Sequence, residues 1–274
     1  MKQIEVKTVV VGLDFSWYSN VVLKEALQLA KKMKTPLVAV HVGEKPYTGL
    51  SPKLFPTHEL EAWYLEKINK QYPALRKHKV IIKLGSPNEK LIEVARKYKK
   101  PLIVIGHRGQ SMMSRLLMGS VAEKISQSSP YPVWIHRGEK TNIPKKILLP
   151  CDLQKRSSDL PSTLSKLQKI FGAQFELFHV MEDPAPVLDY ELWSAMAEAA
   201  RANDNDKLDV LKKNNPNVPV KRTSGDIPRE ILKRSKAFDL IALPRRNARS
   251  GFLFLGSVSR KLVRNGQKPV LILP

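Results

Sequence analysis

Short apolar runs alternate with amphipathic stretches along the whole chain, and that alternation predicts its architecture. "VVVGLDFS" (9–16), "PLVAVHVGE" (36–44), "PLIVIG" (101–106), "ILLPCDLQ" (147–154), "QFELFHVME" (174–182) and "DLIALP" (239–244) have the length and apolar density of buried strands. Between them Val22, Leu23, Ala26, Leu27, Leu29 and Ala30 recur at helical spacing, as do Leu91, Ile92, Val94 and Ala95. Strands alternating with such helices predict βαβ units, right-handed crossovers and a mostly parallel sheet covered by helices on both faces.

The pattern occurs twice. Asp14 and Asp152 close the first strand of each half at an offset of 138, and His41 and His179 share that offset. Gly85 and Gly225 follow at 140, and Gly119 and Gly256 at 137. Four blocks in the same order and nearly the same spacing indicate a tandem duplication. Each half then reads as strand, helix, strand, long polar and helical insert, strand, helix, strand, helix, strand. The fold expected is α/β, with two tandem Rossmann-like domains, each an open, mostly parallel five-stranded sheet. The polar segment "HRGEKTNIPKK" (136–146) puts the boundary near Thr141, giving domains 1–140 and 141–274.

A length of 274 residues accommodates two such domains. No apolar run reaches the roughly 18 residues of a membrane span, and the opening apolar run passes straight into Asp14, unlike a signal peptide. No membrane insertion and a cytoplasmic location are expected. Cys151, the single cysteine, excludes an internal disulfide and a cysteine metal cluster. Charge is the outlying quantity: 47 Lys and Arg against 25 Asp and Glu give +22. Such a surface attracts phosphate-bearing partners, nucleic acid or an anionic membrane surface among them, or is merely solvated. Trp17, Trp63, Trp134 and Trp193 are scattered and form no stacking series for single-stranded nucleic acid.

In an open α/β sheet ligands bind beyond the carboxyl ends of the strands, where helix N-termini offer unpaired N–H groups. After "LIVI" come Gly106, His107, Arg108 and Gly109, then nine residues, then Gly119, Ser120 and Val121 opening a helix. Glycines there allow tight turns and also allow phosphate oxygens to approach main-chain N–H groups. Arg108 and Arg115 are possible anion contacts. Asp14 either caps the following helix or faces a ligand. His41 ends an apolar strand, as a satisfied structural histidine would, and no His or Cys cluster has metal spacing.

The run GHRGQSMMSRLLMGS, GxxG then nine residues and GS, resembles the ATP-binding motif of the universal stress protein family. "VVVGLDFSWYS" and "VHVGE" are similar to that family's first and second strand ends, and the likeness extends over nearly the whole chain as two domains. It implies the adenine nucleotide α-hydrolase-like variety of the fold. It also implies that Asp14 lies beside the ribose, phosphate or metal region and that the backbone of Val42 recognises adenine. Gly106, His107 and Gly109 would then line the ribose and phosphate path, with Gly119, Ser120 and Val121 holding phosphates. The implied cofactor is ATP or a related adenine nucleotide, any Mg²⁺ arriving with it. The family's pairing through last strands implies either a homodimer or an intramolecular pseudo-dimer of "YPVWIH" with "KPVLIL".

The second half departs from the motif. Pro244 replaces the first glycine, Asn247 the second, and only eight residues precede Gly256, Ser257 and Val258. Proline has no N–H to donate. Arg245, Arg246 and Arg249 remain as possible anion contacts, and no acid follows Asp239. This half is either a structural unit with a basic rim or a side-chain phosphate site. Cys151 has no visible base beside it.

With no nucleophile, no acid–base pair and no GxxxxGK[ST] loop, a fast enzyme is not expected. The expected function is nucleotide-dependent stress response or signalling. The alternative is a basic interaction module binding nucleic acid or an anionic surface, with a vestigial nucleotide site.

Overall fold

The computed structural model describes residues 5–43, 57–108, 119–153, 160–181, 190–244, 246–247 and 253–273. The first half runs β1 (Thr8–Leu13), α1 (Trp17–Met33), β2 (Leu37–Gly43), α2 (Thr57–Gln71), β3 (Lys79–Leu84), α3 (Pro87–Arg96), β4 (Pro101–Gly106), α4 (Ser120–Ser128) and β5 (Val133–His136). The second repeats it as β6 (Lys146–Pro150), α5 (Leu160–Phe171), β7 (Gln174–Met181), α6 (Tyr190–Asn214), β8 (Val220–Ser224), α7 (Ile227–Ser235) and β9 (Leu240–Pro244). A two-residue hairpin, β10 (Arg246–Asn247) and β11 (Leu253–Phe254), precedes α8 (Ser257–Asn265) and β12 (Val270–Leu273).

Ten strands make one sheet in the order β3-β2-β1-β4-β5-β12-β9-β6-β7-β8. Within each half all pairings of this sheet are parallel, the separate β10–β11 hairpin being antiparallel. The halves meet through β5 and β12, which pair antiparallel with Trp134 opposite Leu271. Strand order reverses between β1 and β4, so a crevice opens at their carboxyl ends.

The repeat is preserved in backbone geometry where side chains have diverged. Phe15 and Leu153, one residue beyond the strand-end aspartates, both have positive φ, 63° and 53°. Gly85 (φ 122°) and Gly225 (φ 134°) turn the chain into α3 and α7, where a Cβ would be strained. Their amides bond to Gly43 O and Met181 O, each at 3.0 Å. The two strand-end histidines also match: His41 Nδ1 lies 2.8 Å from Leu13 O, and His179 Nδ1 2.9 Å from Cys151 O. A carbonyl only accepts, so both rings carry the proton on Nδ1 and tie adjacent strands together.

Alternate strand residues face opposite layers. On one face Val9, Val11, Trp134 and Leu271 pack under α1 and α5; on the other Val10, Ile103, Ile135 and Ile272 pack under α3, α4, α7 and α8. The fully buried Trp134 reaches across the seam to Phe171 on α5, with ring centroids 5.9 Å apart. Trp134→Ala should therefore cost about 3 kcal/mol and lower the denaturant midpoint of both halves together, as followed by circular dichroism.

Candidate functional site

The turn from β1 into α1 is built by Asp14. Its Oδ1 accepts the Ser16 N–H at 3.0 Å and the hydroxyls of Ser16 and Ser19, each at 2.6 Å. Ser16 caps α1, its hydroxyl oxygen accepting the Ser19 N–H at 3.2 Å. Asp14 thus builds the turn in which Ser16 is the cap, and it also lines the crevice.

The cleft at the β1/β4 switch is lined by Gly12, Leu13 and Asp14 from β1 and its turn, by Tyr18, Ser19 and Val22 from α1, and by Val40 and Val42 from β2. Pro87 and Leu91 of α3, Ile105 and Gly106 at the end of β4, Arg108 just beyond it, and Gly119, Ser120, Val121 and Ala122 at the start of α4 complete it. The apolar members form a slot; Asp14, Ser19, Arg108 and Ser120 give it a polar part. Gly119 sits at the N-cap of α4 and no side chain caps that end. The first amides of a helix lack intrahelical acceptors, so this end favours an anion.

Arg108 supplies a side-chain cation. Its guanidinium lies over the rings of Trp17 and Tyr18, 5.0 and 4.8 Å from their centroids, which orients it with no ion pair to a carboxylate among the described residues. Gly106 lies directly under Tyr18: a Cβ there would stand 3.0 Å from two ring carbons and 3.1 Å from Val22 Cγ2. Gly106→Ala should cost about 1–3 kcal/mol through overpacking. A urea titration checks it, and Tyr18 fluorescence should report the displaced ring.

Of the residues singled out from the sequence, Asp14, Val42, Gly106, Arg108, Gly119, Ser120 and Val121 converge on this cleft. His107 is not among the lining residues: it is buried, its main-chain N–H bonds to His136 O at 3.1 Å, and its ring Nδ1 meets the Tyr18 hydroxyl at 3.1 Å. The Gly119 N–H is held by His107 O at 2.7 Å. Gly109, Arg115, Arg245 and Arg249 lie outside the described residues. Arg246 is described only in its backbone, opposite Phe254. Pro244 ends β9 beside Leu273.

Tyr18 and Ser19 were not singled out from the sequence. The signal available for Ser19 was the spacing of "DFSWYS", which offers hydroxyls two and five residues beyond Asp14. Tyr18 acts from the first turn of α1, where an aromatic residue reads as core. Burial pushes the imidazole of His41 below its usual 6.5, with its bond to Leu13 and the Asp14 charge opposing. This histidine is a strand tie. In the second half burial, with a smaller contribution from Asp152, pushes the Cys151 thiol up to about 12, which leaves it inert. Among the described residues no three His, Cys, Asp or Glu side chains group as metal ligands. No described helix is long and apolar enough to cross a membrane.

Fold and cleft together define a tandem α/β protein with a crevice at the topological switch of its first half. The family model for the universal stress protein family matches residues 5–137 and again 144–274, and the chain belongs to that family. Its relatives include universal stress protein MJ0531 of Methanocaldococcus jannaschii, 29% identical over 145 residues, or 49% of this chain and 84% of the relative. Universal stress protein Rv2005c of Mycobacterium tuberculosis is 24% identical across 96% of each chain. Among solved structures, a universal stress protein from Archaeoglobus fulgidus shares the fold over 97% of both chains, with a TM-score of 0.68 and 22% identity.

Proposed function

We propose that the first half, residues 1–140, binds ATP or a related adenine nucleotide in the β1/β4 cleft, and that 141–274 is a partner unit. The chain then acts in a nucleotide-dependent stress response and is not a fast enzyme. The observation that carries this reading is the convergence of an apolar slot, an uncapped helix start and a fixed arginine in one crevice. The slot, with Val40, Val42 and Leu91, suits a purine; the amides after Gly119 and the Arg108 guanidinium suit phosphates. An Mg²⁺ ion would enter with the phosphates, with Asp14 the one carboxylate lining the cleft among the described residues. No described group is set up as a nucleophile with an adjacent base, so hydrolysis would be slow and incidental.

Denaturing freshly purified protein and identifying the released small molecules by mass spectrometry tests this reading. About one adenine nucleotide per chain is expected, falling to a small fraction in Gly119→Val, whose side chain would fill the cleft floor. An empty chain that also ignores added ATP sinks the assignment.

A second reading, binding of nucleic acid, is favoured by one feature. At the opposite end of the strands from the cleft, Lys32, Lys34, Lys166 and Lys169 line a groove between the C-terminal ends of α1 and α5. Its acid, Glu5, already pairs with Lys7 and Lys100. Oligonucleotide binding there should weaken steeply with salt, by a log–log slope of about −0.7 to −0.9 per neutralised phosphate. Lys166→Glu with Lys169→Glu should flatten the slope, as measured by fluorescence anisotropy, and leave ATP binding as it was.

A further inference from the structure

Beneath the cleft, at the seam between the halves, lies a buried acid and base that the nucleotide reading does not use. Glu25 on α1 and His136 at the end of β5 are 1% and 0% exposed. His136 Nδ1 stands 3.8 Å from Glu25 Oε1, beyond a hydrogen bond but close enough for an ion pair once the ring is protonated. Neither carboxylate oxygen and neither ring nitrogen has a hydrogen-bond partner. Leaving such groups unpaired in the interior is costly. The fold does not demand it, because the equivalent positions of the second half are Thr163 and Leu273.

The main chain of the same histidine leads to the cleft. His136 O accepts the Tyr18 hydroxyl at 3.2 Å and the His107 N–H at 3.1 Å. With its one proton given to that carbonyl, the Tyr18 oxygen must accept from His107 Nδ1. His107 O in turn holds the Gly119 N–H that opens α4. The path from the buried pair to the start of α4 is continuous.

We propose that ligand binding in the cleft is proton-coupled: the Glu25–His136 pair takes up a proton at the seam, and Tyr18 and His107 link its state to the start of α4. The sign follows from charge. One added positive charge beneath the cleft favours an anionic ligand, so affinity rises as pH falls, and by reciprocity the ligand raises the pair's hold on its proton. Among the described residues the charges acting on the neighbouring Tyr18 are those of Glu25 itself, Arg108 after β4, and Arg137 and Glu139 after β5, while His107 bonds to its hydroxyl. The buried residues of α5, Thr163, Leu164, Leu167 and Phe171, are not ionisable. Burial raises the Tyr18 phenol, which stays protonated. The arginines keep their charge.

This rests on assigning the cleft to an adenine nucleotide, and the test separates the two. ATP affinity is measured by calorimetry at about pH 6 and about pH 7.5 for the wild-type chain, Glu25→Gln and Tyr18→Phe, alongside thermal stability of each ligand-free chain. The titration of ATP itself is common to all three and cancels in comparison. Wild type should gain about threefold per pH unit on acidification relative to Glu25→Gln, within the tenfold per unit that one proton allows. Tyr18→Phe should keep the wild-type pH dependence of ligand-free stability and show a reduced one for binding, with the direct charge effect and the His136 O to His107 N–H bond remaining. If Glu25→Gln does not fold, His136→Gln removes the pair from the other side. An unchanged binding slope in Glu25→Gln overturns the coupling and points to His107. A chain that binds no ATP at either pH overturns the nucleotide assignment instead, while the ligand-free stabilities still report whether the pair titrates.

Discussion

Antiparallel pairing of Val133–Ile135 with Val270–Ile272 is the contact on which the rest of the architecture depends. A five-stranded parallel sheet ends in an open edge, and an exposed apolar edge is prone to pair with other chains. Here each half covers the other's edge. Because the pairing is antiparallel, the halves relate by an approximate twofold axis through the seam. That brings α1 beside α5 on one face and α4 beside α8 on the other. The α4–α8 contact carries an ion pair between Glu123 and Arg264 at 2.7 Å. Arg137, just beyond β5, donates to Val263 O and Arg264 O, capping the last turn of α8 from the other half. A dimer-like interface inside one chain lets its two sides differ, which identical subunits could not do.

The two halves show that freedom. Both halves keep the strand-end aspartate, the left-handed residue after it, the strand-tying histidine and a Gly-Ser helix start. Those features belong to the backbone of the fold and survive divergence. What differs is the loop after the fourth strand, where Pro244 replaces Gly106. Glycine at 106 is needed because Tyr18 packs directly against its Cα. A half without that tyrosine has no such requirement.

Much of this was legible in the sequence, for a physical reason. A doubly covered parallel strand must be apolar throughout, and its helices must be apolar along one stripe, so the periodicity of Val22 to Ala30 and the run of Ile103 to Ile105 identify their elements directly. The duplication was legible because positive-φ turns and strand-end polar residues recur at fixed offsets. Glycines and Asp14 were readable as cleft residues because they sit where strands end. The burial of the His107 ring against Tyr18 was not legible, because sequence spacing gives its position along the loop and not the direction of its ring. Tyr18 went unnoticed because an aromatic residue on the buried stripe of a helix looks the same whether its hydroxyl is satisfied by solvent or by His136 O.

The buried groups show why site and seam cannot be treated separately. β5 is at once the strand that pairs with β12 and the strand whose last carbonyl receives Tyr18 and His107. A shift of that carbonyl by a few tenths of an ångström would alter the bond that fixes Gly119, because close-packed interiors transmit displacement instead of absorbing it. The same shift would move Arg137 against the end of α8. Groups already in contact thus run from the cleft to the seam, and the strand that joins the two halves also holds the residues behind the first half's crevice.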